Sequence, residues 1–69
     1  MSSKIAKVIE VTAASSKGIE DAVQSGLKKV AKSVRGVQGA WIKDISVLTD
    51  EHGKISEWRV DLKVTFLLE

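Results

Sequence analysis

The chain has 69 residues, 43% hydrophobic and 29% charged, with 11 basic against 9 acidic side chains for a net charge of +2. That composition belongs to a folded domain rather than a disordered chain, and the length leaves room for a single domain over residues 1–69. There is no Cys and one His, His52, which excludes disulfides, thiolate zinc sites and an imidazole metal cluster within one chain.

The small positive charge does not call for nucleic acid or an anionic membrane as partner. No apolar run approaches the ~18 residues of a membrane span. The start, MSSKIAKVIE, lacks a signal-peptide apolar stretch and a small-residue cleavage site, so a cytoplasmic location is expected. A chain this short buries only about 60% of its unfolded surface. With disulfides, thiolate zinc and an imidazole metal site excluded, self-association is the expected source of further stability.

The β-branched stretch KIAKVIEVTA predicts a first strand over about residues 4–12. Its alternation is imperfect, which implies that both of its faces are partly covered. Ser15 and Ser16 follow, either of them suited to cap a helix start. Ile19, Ala22, Val23, Leu27, Val30, Ala31 and Val34 then recur at steps of three and four, predicting an amphipathic helix within residues 16–35. Glu20 and Asp21 in its first turn, and Lys28, Lys29, Lys32 and Arg35 toward its end, suit the helix dipole. The basic cluster reads as a solvated outer face, and Gly36 is placed to stop the helix.

A second strand is predicted over about residues 40–49. Simple alternation puts Trp41, Lys43, Ile45, Val47 and Thr49 on one face and Ala40, Ile42, Asp44, Ser46 and Leu48 on the other. TDEHGK closes a hairpin, with Gly53 free to take positive φ. In the last strand, about residues 55–68, Trp58, Val60, Leu62, Val64, Phe66 and Leu68 share one face, while Arg59, Asp61, Lys63, Thr65 and Leu67 share the other. The helix must cover the apolar face, with Trp58 in the core. The expected fold is α+β: β-α-β-β, a three-stranded antiparallel sheet with one helix packed on one face.

Two features point to a homo-oligomer. The last strand is expected to outrun its partners and leave unpaired backbone groups. The second sheet face, carrying Trp41, Ile45 and Val47, has no helix to hide it. Catalysis is not expected: His52 lies in a hairpin turn without a nucleophile, and no Gly-rich phosphate loop is present.

The order KVIEV, a Ser-rich cap, GIEDAVQSGLKKVAKSV, GAWIKD and EWRVDLKVTFLLE resembles the dodecin family, from about Lys7 to Glu69. The resemblance implies a hollow homododecamer with sheets inward and helices outward. It also implies binding of riboflavin, FMN or a related flavin between subunits, for storage and quenching. In such proteins a Trp of the second strand stacks on the ring, and a Gln early in the last strand hydrogen-bonds it. Carried onto this chain, Trp41 is the stacking platform, with Arg59, Lys43 and Gln38 as candidate polar contacts.

Three positions depart from that pattern. Ungapped alignment from the helix end puts Gly39 at the stacking position, with Trp41 one strand period further on, about 7 Å away. Arg59, a donor only, stands where the Gln is usual. Leu67 stands where some members carry an Arg that reaches a ligand phosphate. A plainer role for Trp41 is to fill space at a subunit contact. A shell of the same architecture without flavin is the alternative, holding calcium or another divalent cation through Asp50, Glu51 and Asp44, with Glu57 nearby, drawn from several subunits.

Overall fold

The computed structural model describes residues 4–68. They form β1 (Ala6–Ser15), α1 (Ile19–Ser33), β2 (Val37–Thr49) and β3 (Ile55–Leu67). The sheet is antiparallel throughout, in the order β1-β3-β2. This is the expected β-α-β-β architecture, with one correction. The last strand outruns only one partner: β2 and β3 are both 13 residues long, whereas β1 has 10. β3, the central strand, thus overhangs β1 by Ile55–Glu57 alone. The longer free backbone edges belong to the outer sides of β1 and β2. β1 also runs three residues past its expected end, to Ser15, and β2 starts three residues early, at Val37.

The central strand carries the core. Val60, Leu62 and Val64 are fully buried and pack against Ala22 and Val30 of α1, and Phe66 of the same strand is nearly buried. Ile9, Val11 and Ala13 of β1, Ile19, Val23, Leu27 and Val34 around the helix and Val37 of β2 complete the cluster. Ala31 falls outside the buried stripe and is exposed. Gly26 brings the helix close to β1, since a Cβ there would lie 3.0 Å from the Ala13 Cβ and 3.4 Å from Leu62 Cδ1. Trp58 shares the core's side of the sheet but is only half-buried. It pairs with Ser15 at the end of β1, and the helix begins only at Ile19, so the indole lies at the margin of the core rather than inside it.

The helix starts differently from expectation. No side chain caps it; the N-cap is Gly18, at φ 152° and ψ 176°, a region open essentially to Gly alone. The Gly18 carbonyl accepts from Ala22 N at 3.1 Å. Ser15 serves the turn before the helix: its Oγ accepts from Lys17 N at 2.9 Å and donates to Asp21 Oδ2 at 2.6 Å. Gly53 takes positive φ (79°) as expected, whereas Gly36, also at positive φ (77°), does not stop the helix, which ends at Ser33 with Val34 as an extended C-cap. Leu67 N donates to the Gly36 carbonyl at 3.0 Å, which ties the chain beyond the helix to the end of β3. In the hairpin turn Asp50 Oδ1 accepts from His52 N at 2.8 Å and Lys54 N at 3.0 Å.

α1 lies mainly over β1 and β3, so the helix side of β2 beyond Val37 is left uncovered and Ile42, Ile45 and Val47 are 44%, 51% and 39% exposed. The isolated chain exposes 5436 Å², whereas a compact monomer of 7.5 kDa exposes about 4,200 Å². Its radius of gyration is 14.5 Å, against about 11 Å for a compact domain of this length. The surplus surface exceeds the ~800 Å² that each partner contributes to a standard interface. By itself the chain is half-covered, and its exposed apolar residues cluster where the helix does not reach.

Candidate functional site

The site is set by two irregularities in β2. Val37 pairs with Phe66 but Gly39 with Thr65, so Gln38 is an extra, bulged residue. Trp41 then pairs with Lys63 and Ile42 with Leu62, but Asp44 pairs with Asp61, which makes Lys43 a second bulge. Directly opposed residues of an antiparallel pair share a face, so each bulge reverses the alternation of everything beyond it. Trp41 therefore lies on the open face with Lys63. Past Lys43 the open face carries Asp44, Ser46 and Leu48, while Ile45 and Val47 turn to the helix side opposite Val60 and Trp58. This corrects the expectation that Trp41, Ile45 and Val47 share a face, which assumed an unbroken period of two.

The open face is consequently mostly polar around the indole, with Val8 and Leu48 among its other exposed large apolar side chains. Trp41 is 72% exposed. Its row across the sheet is Trp41, Lys63, Glu10. On one side lies the uncharged row Gly39, Thr65, Val8, with the Thr65 hydroxyl donating to the Gly39 carbonyl at 3.2 Å. On the other side comes Asp44, Asp61, Thr12, where the Thr12 hydroxyl donates to Asp61 Oδ1 at 2.9 Å. Beyond that are Ser46, Arg59 and Ala14. Arg59 Nε donates to Glu57 Oε2 of its own strand at 2.7 Å. Lys43 Nζ reaches Glu10 Oε1 at 3.7 Å.

Trp41, Ile42, Lys43 and Lys63 line a cleft of about 270 Å³. Of the residues named from sequence, the fold thus brings Trp41 and Lys43 together. Gln38 lies at the upstream bulge, and Arg59 stands four residues along β3 from Lys63, about 13 Å from the Trp41 row. Lys63 was missed. Its parity on β3 placed it on the open face, but only the bulged register makes it Trp41's neighbour. A shallower hollow of about 510 Å³ around Lys17–Gln24, at the start of α1, contains none of these residues.

The carboxylates suggested for a cation do not gather within one chain. Asp50 holds the hairpin turn, Glu51 lies 3.6 Å from His52 Nε2, and Asp44 faces Asp61 across the sheet. Among the described residues no three His, Cys, Asp or Glu side chains come together. No helix among them is long and apolar enough to cross a membrane.

A short β-α-β-β chain, with one sheet face bare and its apolar arm uncovered, defines a class of small α+β subunits that are completed by other copies of themselves. The chain belongs to the dodecin family, whose profile matches residues 5–69. A dodecin of Thermus thermophilus is 33% identical over 66 residues, covering 96% of this chain and 94% of the relative. A solved structure of a variant of the T. thermophilus dodecin superposes with a TM-score of 0.89 at 33% identity, covering 97% of this chain and 98% of that one. The calcium dodecin of Mycobacterium tuberculosis, described as a calcium-chelating antigen with a novel calcium-binding site, is 26% identical with a TM-score of 0.80, covering 94% and 91%. Dodecins are small binding proteins that self-associate into oligomers.

Proposed function

We propose that this chain assembles into a cytoplasmic homododecamer that binds a flavin, riboflavin or FMN, at subunit interfaces and so sequesters and quenches it. The observation that carries this reading is the exposed Trp41 ring on the open sheet face of a dodecin. A flat indole desolvates and stacks against an isoalloxazine, and an excited flavin held there loses its excitation to the indole by electron transfer. Lys43 and Gln38 flank that ring in sequence and are the polar contacts available from the same strand. Within one chain Arg59 is two rows away, so its contact with the ligand comes across a subunit boundary, from another copy. The surplus surface and the uncovered Ile42, Ile45 and Val47 support assembly. Riboflavin titrated with micromolar apoprotein should lose its fluorescence, and full emission throughout would overturn the reading.

The likeness to a calcium dodecin favours a second reading, a shell of the same architecture that holds calcium. Since the carboxylates of one chain stand apart, the ion would be shared between copies through Asp44, Asp50 or Glu51. Chelation with EDTA would then lower the melting temperature, and an unchanged melting curve would remove it.

A further inference from the structure

The direct cross-strand partner of Trp41 is Lys63. It is half-buried and lines the same cleft. Most neighbouring charged groups are engaged: Arg59 with Glu57 at 2.7 Å, Lys43 with Glu10 at 3.7 Å, and Asp61 with the Thr12 hydroxyl at 2.9 Å. Asp44, in the row on the Asp61 side, has no ion-pair partner among the described residues. Glu10 is the β1 partner of Lys63, yet its carboxylate pairs with Lys43. Among the described residues Lys63 forms no ion pair. On the Gly39 side the adjoining row is uncharged, and a Cβ at Gly39 would meet nothing within 4 Å. Among the described residues, an ammonium without an ion pair therefore stands beside an exposed indole, and the row on its Gly39 side carries no carboxylate.

We infer that Lys63 decides which flat ligand the Trp41 platform holds, selecting one that carries an anionic group. This rests on the flavin reading and deepens it. Trp41 supplies stacking, which is indifferent to ligand charge, and Lys63 supplies the charge term. FMN, with its phosphate, is favoured over uncharged riboflavin, and Lys63 takes the part that Leu67 cannot play. The competing role for Lys63 is to lay its stem and ammonium against the indole. Its loss would then disturb both flavins alike.

Flavin fluorescence titrations separate these roles, using riboflavin and FMN with the wild-type protein, Lys63→Gln and Lys63→Arg, at low and high salt. Wild type should bind FMN more tightly than riboflavin, with only FMN weakened by salt. Lys63→Gln should lower FMN affinity roughly fivefold, the worth of one charge pair at ~4 Å in water, and leave riboflavin unchanged. Lys63→Arg should keep the FMN preference, and light scattering should give both variants the wild-type particle mass. Equal affinity of wild type for the two flavins, or equal losses for both in Lys63→Gln, overturns the role of Lys63 alone. Failure of wild type to quench either flavin overturns the flavin reading and the role of Lys63 with it.

Discussion

Ile45→Asp tests how the bulge at Lys43 shapes assembly. Ile45 lies on the helix side of the sheet, opposite Val60, beyond the reach of α1 and 51% exposed in the isolated chain. Were that arm open to water in the working particle, a carboxylate there would be a surface change, worth within about 0.5 kcal/mol. Covered by a neighbouring copy, it is another matter. Completing the burial of a half-exposed Ile is worth about 1 kcal/mol per copy, and stranding a carboxylate in an apolar contact adds several kcal/mol. A loss of about 3 kcal/mol weakens each contact more than a hundredfold. Size-exclusion chromatography with light scattering at micromolar protein should show Ile45→Asp falling from the oligomer to small species. Lys29→Asp, on the exposed helix face, should leave the particle intact. An Ile45→Asp particle of unchanged mass and melting temperature would refute the argument.

Two further substitutions probe the turns. Gly18→Ala places a Cβ in open space but at φ 152°, so its cost is conformational, about 1–3 kcal/mol; a denaturation midpoint equal to wild type would contradict that helix start. Asp50→Ala removes the acceptor of two turn hydrogen bonds and should cost about 1–2 kcal/mol whether or not EDTA is present. A loss seen only in calcium-containing buffer would assign Asp50 to metal instead.

Much of this molecule was legible in its residues, because the features concerned are periodic. The helix stripe from Ile19 to Val34, the alternation of Val60, Leu62, Val64 and Phe66, and the positive-φ turn at Gly53 each follow from local rules that the fold obeys. The departures occur where a single residue breaks a period. No residue type announces a bulge at Gln38 or Lys43, yet each reverses the facing of the strand beyond it, and the Lys43 bulge moved Ile45 and Val47 to the other side of the sheet. The helix start was read from the serines, whose hydroxyls favour capping, whereas the backbone turns at Gly18 in a conformation they cannot adopt. Trp58 was read as core from parity alone, and parity does not say how far the helix extends. At the site, Trp41 stood out because large aromatics are scarce here. Lys63 did not, since its importance comes only from the residue it faces.

The central position of β3 also governs when the protein can come into being. Register pairs Ala6 with Leu67 and Ser15 with Trp58, so β1 waits for a strand made almost an entire chain length later. During synthesis β1 and α1 emerge first, with Val60, Leu62 and Val64 not yet present to receive the helix stripe. Neither edge strand has a partner until β3 leaves the ribosome, and contacts so distant in sequence slow the closure of the sheet. Until then the early segments are an apolar strand and a half-greasy helix, the kind of species that chaperones hold. Subunits of this kind therefore meet one another only after β3 has been made.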